Sequence, residues 1–206
     1  AAHPEVAWLN RAGMFRQTNK LHALGLARAC GLEIPETLAT NELGALARRP
    51  GGPWVAKPVG GGDYCRRLDD VLAAVDDRDG LAAAPAIVQP ELVPPELRLY
   101  GVRGARTSPG GRPIELFDFE VIAAALDYRE DPGARVERRT PPPELAAPFG
   151  RLMDALGLDF AAADFKAEPA SGRLLFLEIN NGPMFVAFDR AAGGELSAAI
   201  VRALAG

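Results

Sequence analysis

The stretch Leu158–Phe185, LDFAAADFKAEPASGRLLFLEINNGPMF, decides the fold. It reads as two strands, Asp159–Glu168 and Arg173–Asn180, joined by a turn containing Pro169, Ser171 and Gly172. A loop of Ala170-Ser171-Gly172, with Gly172 at positive φ, sets a register that places Asp164 opposite Glu178. The strand period then puts Asp164, Lys166, Glu178 and Asn180 on one face. Ala163, Phe165, Leu175, Leu177 and Ile179 fall on the other. Opposed carboxylates repel unless a cation lies between them. Oxygen donors from Asp, Glu and Asn suit Mg²⁺, which binds through one or two carboxylates plus phosphate oxygens. A half-solvated hairpin facing water fits the same residues, and the stretch by itself leaves both readings open.

Bulk properties narrow the field. With 206 residues and 48% hydrophobic content, the chain can bury a core as one domain or two small ones. Its net charge is −4 with dispersed basic residues, so no nucleic-acid footprint is expected. Cys30 and Cys65 stand far apart, in no metal or redox spacing, which fits a reducing compartment. His3 and His22 read as surface residues. No stretch is long and apolar enough to span a membrane, and the start AAHPEVAWLN is no signal peptide, so a cytoplasmic protein is expected.

Upstream of the hairpin, residues 1–19 read as a lead-in, with Trp8-Leu9-Asn10 ending a connecting segment. Thr18–Cys30 has helical spacing, with Thr18 as N-cap and Gly31 as the stop. Lys20 lies in its first turn, where a cation opposes the helix dipole. A nearby anion would explain it, and so would plain solvation. Leu32–Thr40 reads as a strand with Pro35 at an edge, and Glu42–Arg49 as a short helix. Trp54–Pro58 is a strand that delivers Lys57 to the mouth of Gly60-Gly61-Gly62. Glycines let backbone N–H groups approach a phosphate and the ammonium adds charge, although no Gly-Lys-Ser/Thr of a Walker A loop follows. Leu68–Val75 reads as a helix and Ala86–Leu92 as a strand. Pro94-Pro95 stiffens the link to the strand Leu97–Val102, making a boundary between units 20–92 and 93–206. Alternation there puts Glu96, Arg98 and Tyr100 on one face and Leu97, Leu99 and Val102 toward a core. Arg103–Pro113 reads as a hairpin tip and Pro113–Arg129 as strand material. Glu144–Leu156 is a helix that Gly157 stops, and Gly193–Leu204 is a closing amphipathic helix.

Asp164 with the later Leu177-Glu178-Ile179-Asn180 and Pro183 resembles the metal-binding hairpin of ATP-grasp carboxylate–amine ligases. The resemblance spans roughly residues 8–206, with five motifs in the family's order, and implies an α+β fold of two subdomains clasping ATP. It gives Asp164, Glu178 and Asn180 to Mg²⁺, and Lys20 and Lys57 to the phosphates, with Gly61 in the phosphate loop. Gln89 and the backbone of Pro90 and Leu92 would meet adenine, Glu96 the ribose. Leu177 joins the nucleotide set, although strict alternation turns it away. The subgroup that modifies peptides, including the ribosomal-protein glutamate ligase and the microviridin-type macrocyclases, has a similar aromatic–Arg ending near Arg129. Arg98 and Arg129, with Lys57, are therefore the catalytic candidates, and either arginine could instead be an ion-pair partner of Glu96 or Glu120.

The implied reaction is ATP-dependent amide or ester formation through an acyl-phosphate, on peptide or amino-acid carboxylates. A dipeptide ligase and a silent nucleotide-binding module are the alternatives. Family members usually carry a further domain before this segment that contributes to the acceptor site. A partner or that missing domain is therefore expected to complete the site, with a homodimer left open.

Overall fold

The computed structural model describes residues 6–11, 19–47, 52–60, 63–104 and 112–205. Gly61, assigned to the phosphate loop, lies outside them, as does Thr18. The order of elements is α1 (Lys20–Ala29), β1 (Leu38–Glu42), α2 (Leu43–Ala47), β2 (Trp54–Pro58), β3 (Arg66–Arg67), α3 (Leu68–Ala74), β4 (Leu81–Pro90) and β5 (Val93–Arg103). There follow β6 (Ile114–Ile122), a 3₁₀ turn (Tyr128–Glu130), β7 (Arg135–Arg139), α4 (Pro143–Leu156), β8 (Phe160–Ala167), β9 (Leu174–Asn180), α5 (Val186–Ala191) and α6 (Glu195–Ala205). Among the described residues the strands form two antiparallel sheets, in the orders β1-β4-β2-β3 and β7-β6-β5-β8-β9. The fold is α+β.

The four-stranded sheet buries one face against α2 and α3 through Leu46, Ala56, Leu68 and Val88. Strand period two leaves Val55, Lys57 and Gln89 on its inner face. The five-stranded sheet is covered on both sides. Leu97, Leu99, Ala163 and Phe165 pack under α1 and α4, while Tyr100, Val102, Phe119 and Phe160 pack under α5 and α6. Val102 lies with Tyr100 on the face opposite Leu97 and Leu99, so the grouping of all three toward one core is corrected: beyond Arg98 both faces of β5 are buried, and no polar residue marks the alternation before Arg103. Helix α1, expected with the first unit, contributes Ala23, Leu24 and Ala27 to the core of the second sheet. Burying a leucine such as Leu24 there contributes roughly 1.5–3 kcal/mol.

At Gly101, near the C-terminal end of β5, α4 approaches closely. A Cβ there would lie 2.6 Å from Met153 Sδ and 2.9 Å from both Phe149 Cε1 and Ile114 Cδ1. On the same face, Asp118 of β6 is buried, and among the described residues neither of its carboxylate oxygens has a well-aligned hydrogen-bond partner, the Phe119 amide lying close by without good geometry.

Several ends differ from expectation. The N-cap of α1 is Asn19, whose side chain accepts from the amides of Leu21 and His22. Gly31 stops the helix at φ +89°. Residues 32–37 are irregular instead of strand, although Glu33 O accepts from Phe176 N at 2.8 Å. Pro94 and Pro95 lie inside β5, where the pairing with β8 shifts between Val93 and Glu96.

The decisive hairpin has the expected pairing of Asp164 with Glu178. It reaches that register by a different route. The turn is one residue longer than expected: Glu168 N donates to Arg173 O, and Gly172, at φ +69°, donates to Glu168 O. A bulge then absorbs the extra residue, because Phe165 pairs with Phe176 while Asp164 pairs with Glu178. Leu177 is the odd residue. It turns to the polar side, and Phe176 takes the core position that alternation gave to Leu177.

Candidate active site

The inner face of the four-stranded sheet and the polar residues of β5, β8 and β9 enclose a cleft of about 480 Å³. Lys20, Lys57, Gln89, Pro90, Leu92, Glu96, Arg98, Arg129, Asp164, Leu177, Glu178 and Asn180 all line it. Helix α1 brings Lys20, β2 brings Lys57, and the connection from β4 to β5 brings Pro90 and Leu92. The bulge is what brings Leu177.

At one end lie three oxygen-bearing side chains. Asn180 Nδ2 stands 3.4 Å from both Asp164 Oδ2 and Glu178 Oε1. An amide N–H thus occupies the space between two carboxylates, where a cation would sit. Among the described residues no three His, Cys, Asp or Glu side chains cluster for a metal. Two carboxylates with one amide oxygen fit Mg²⁺, which keeps open positions for phosphate oxygens, better than an ion needing a closed protein cage.

Each carboxylate has its own cation. Lys20 Nζ is 3.3 Å from Glu178 Oε2, which supplies the anion that a lysine at a helix N-terminus calls for. Burial pushes the Glu178 carboxyl up, and Lys20 and Lys57 more than offset it, holding it below the ordinary range. Arg98 Nη1 lies 3.1 Å from Asp164 Oδ1 and 3.2 Å from Oδ2. Burial raises Asp164 despite Arg98, and the neighbouring Glu178 and Glu96 add to the rise. Asp164 is therefore the carboxylate that most needs a further cation.

Arg98 is itself held by Tyr100 Oη at 3.1 Å and Tyr128 Oη at 3.3 Å. It pairs with Asp164, not with Glu96 or Glu120. Glu96 pairs with Lys166 at 2.9 Å, and Glu120 with Arg139 at 3.0 Å. Lys57 differs from its neighbours: among the described residues it forms no ion pair. Burial lowers its pKa, with Glu178 opposing and Lys20 adding to the fall. A half-buried ammonium without a partner is poised for an anion. Gln89 donates from Nε2 to Thr37 Oγ1 at 2.9 Å.

Arg129 is fastened. Its Nε and Nη2 donate to the two oxygens of Asp127 at 2.8 and 2.6 Å, and its guanidinium lies 5.0 Å from the Tyr64 ring centroid. Cys65 N also donates to Asp127 Oδ2, at 3.0 Å. The arginine thus ties residues 63–65, just before β3, to the turn beyond β6. Asp127 itself went unread in the sequence. The signal was there, as an acid two residues before an arginine, but its partner Cys65 is distant in the chain.

No family model and no curated protein matches the sequence. Solved structures do. The chain is similar to the ATP-grasp ligase PsnB complexed with a phosphomimetic variant of its minimal precursor, Mg and ADP, at 29% identity and TM-score 0.70, over 89% of this chain and 58% of that one. It is similar to the macrocyclase MdnB from Microcystis aeruginosa MRC at 25% identity and TM-score 0.58, over 92% and 56%. The VanG D-Ala:D-Ser ligase from Enterococcus faecalis matches at 18% identity and TM-score 0.58, over 84% and 55%, a likeness of fold alone. The chain thus spans less than two thirds of each of these structures.

Proposed function

We propose, from its similarity to solved ATP-grasp ligases, that this chain is an ATP-dependent ligase. It joins a carboxylate of a peptide to an amine or hydroxyl, releasing ADP and phosphate. The substrate carboxylate attacks the γ-phosphorus of ATP, and the bond to the β-phosphate oxygen breaks. The nucleophile then attacks the acyl carbon, phosphate leaves, and an amide or ester remains. A peptide substrate is favoured by the likeness to PsnB, which is solved with its precursor.

The observation that carries the proposal is the convergence of Asp164, Glu178 and Asn180 with Lys20 and Lys57 in one cleft. Asp164, Glu178 and Asn180 would hold Mg²⁺, which when bound neutralises phosphate charge and polarises the phosphoryl group. Lys57, without an ion pair among the described residues, accepts the phosphates. Lys20 exchanges part of its pairing with Glu178 for the same anion. Arg98 holds Asp164 in place and favours its charged form, against the burial that raises it. Leu177 and Val55 line the cleft as apolar walls for a base, and Gln89 with Pro90 and Leu92 forms its rim. Glu96, already paired with Lys166, can offer its free lone pairs to ribose hydroxyls. We also propose residues 93–206 as the metal-bearing unit and residues 20–92 as the lid, with α1 packed on the former.

The test is ADP release from Mg-ATP with an acidic peptide, followed by mass analysis of that peptide. Wild type should release ADP in step with dehydrated peptide. E178Q should lower turnover by about 10–100-fold or more, since lost outer partners of metal sites alone cost that much, while the fold survives on the opposite, apolar face of β9. Wild-type turnover in E178Q would refute the assignment.

A further inference from the structure

The β8–β9 ladder ends at the pair Ala162 with Asn180. Continued by one more rung, it would bring Phe160 opposite Gly182. Instead a side chain from the lead-in segment takes that place. Asn10 Oδ1 accepts from Phe160 N at 2.8 Å, and Asn10 Nδ2 donates to Phe160 O at 2.6 Å. Both backbone groups that β9 would have used are satisfied by one amide. The same Nδ2 donates to Asn181 O at 2.6 Å, and Asn10 Oδ1 also accepts from Asp159 N at 2.6 Å. Asn10 itself is buried, at φ +55°, a backbone region that asparagine tolerates better than most residues.

Replacing a rung with a side chain has a consequence for the cleft. The chain leaves the ladder directly after Asn180 and turns through Gly182, Pro183 and Met184 along the cleft wall. That turn is gripped at both ends. Asn10 holds the Asn181 carbonyl, and Tyr100 Oη donates to Met184 O at 2.6 Å. Tyr100 in turn receives Arg98 Nε, the same guanidinium that holds Asp164. The Asn180 side chain is therefore held on a backbone that is bonded to Asn10 at the carbonyl of the following residue, Asn181.

We propose that Asn10 is a positioning residue for the metal end of the cleft. By substituting for the missing rung it sets where β9 stops, and so aims the Asn180 amide between Asp164 and Glu178. The proposal rests on the ligase reading above. A merely structural role, pinning the lead-in segment to β8, would also cost stability, and the Asp159 side chain separates the two. Asp159 Oδ2 accepts from Asn10 N at 2.9 Å and Oδ1 pairs with Arg112 at 2.6 Å, so D159N loosens the segment without removing either carbonyl contact of Asn10.

The experiment compares wild type, N10G and D159N by calorimetric binding of ADP with and without Mg²⁺, and by amide exchange at Asn181, Gly182 and Met184. Glycine suits the positive φ, so N10G removes the side chain with little backbone strain. N10G should keep Mg²⁺-free ADP affinity, lose at least ten-fold of the gain that Mg²⁺ confers, and exchange faster at those amides. D159N should lower the melting temperature yet retain the Mg²⁺ gain. A full Mg²⁺ gain in folded N10G, or an equal loss in D159N, overturns the proposal. Should N10G fail to fold, N10S carries the same comparison. If wild type binds ADP with no Mg²⁺ dependence, the ligase reading fails, while exchange at Asn181 and Met184 still decides whether Asn10 holds the turn.

Discussion

Asp118 shows what one unpaired side chain does to the pH response. It is 1% exposed, with Leu97 and Leu99 of β5 on its side of the sheet. Burial pushes its carboxyl up to about 7; the Phe119 amide, Arg139 and Arg138 offset part of that, and Glu120 adds to it. In the unfolded chain an aspartate titrates near 3.9. Between those values the folded state keeps a proton that the unfolded state has released, so this residue lowers stability as pH rises from about 4 to about 7. D118N has no such proton. Its stability relative to wild type should increase across that window by on the order of 2–4 kcal/mol, at 1.36 kcal/mol per pKa unit. Urea midpoints at about pH 4.5 and about pH 8 check it, and parallel changes in both proteins would place the proton elsewhere.

Among the elements, β5 and the segment around Asp127 carry the sharpest expectations. G101A drives a methyl group into Met153 and Phe149 of α4, so urea unfolding should show a loss of about 1–3 kcal/mol from overpacking. Equal stability would mean that α4 slides freely on β5. D127A removes both the acceptor of the Cys65 amide and the anchor of Arg129, and exchange at Cys65 N should rise about tenfold or more. Unchanged exchange would show that the tie does not hold residues 63–65. Elements with strong period or firm stops were legible in the sequence: β2, α4 with Gly157 at φ +67°, and the pairing of Asp164 with Glu178. Strand β7 was not legible, because Arg135–Arg139 has a single apolar residue. It is held instead by Arg138 over the Phe117 and Phe119 rings and by the pairing of Arg139 with Glu120. Helix α5 is short and buries only Phe188, too little to leave a periodic signal. Leu177 was misplaced because two one-residue departures, in the turn and in the bulge, cancel before Glu178.

At the scale of the whole molecule, the proposed function puts nucleotide and metal in one cleft between two sheets, so their effects on stability should not be independent. ADP with Mg²⁺ at about 100 times its Kd should add roughly 2.7 kcal/mol, which for a chain of this size is about 5–10 °C in Tm. Scanning calorimetry with ADP alone, Mg²⁺ alone and both should give a joint shift larger than the sum of the separate ones. A strictly additive result would place the two ligands apart. The lysines and carboxylates of the cleft come from α1, β2, β5, β8, β9 and the loops between elements, and only the fold brings them together, which is why Lys20 could not be given its partner from the sequence. The Asn10 amide spans greater intervals still: its partners Phe160 and Asn181 lie 150 and 171 residues further along. A ribosome adds about 5–20 residues per second, so on the order of 10–30 s separate the synthesis of this residue from that of its last partner. During that interval water must serve the amide in place of the two carbonyls. A nascent chain halted before β9 has Asp164 but neither Glu178 nor Asn180, so on the proposed reading translation itself delays nucleotide capture until that strand has emerged.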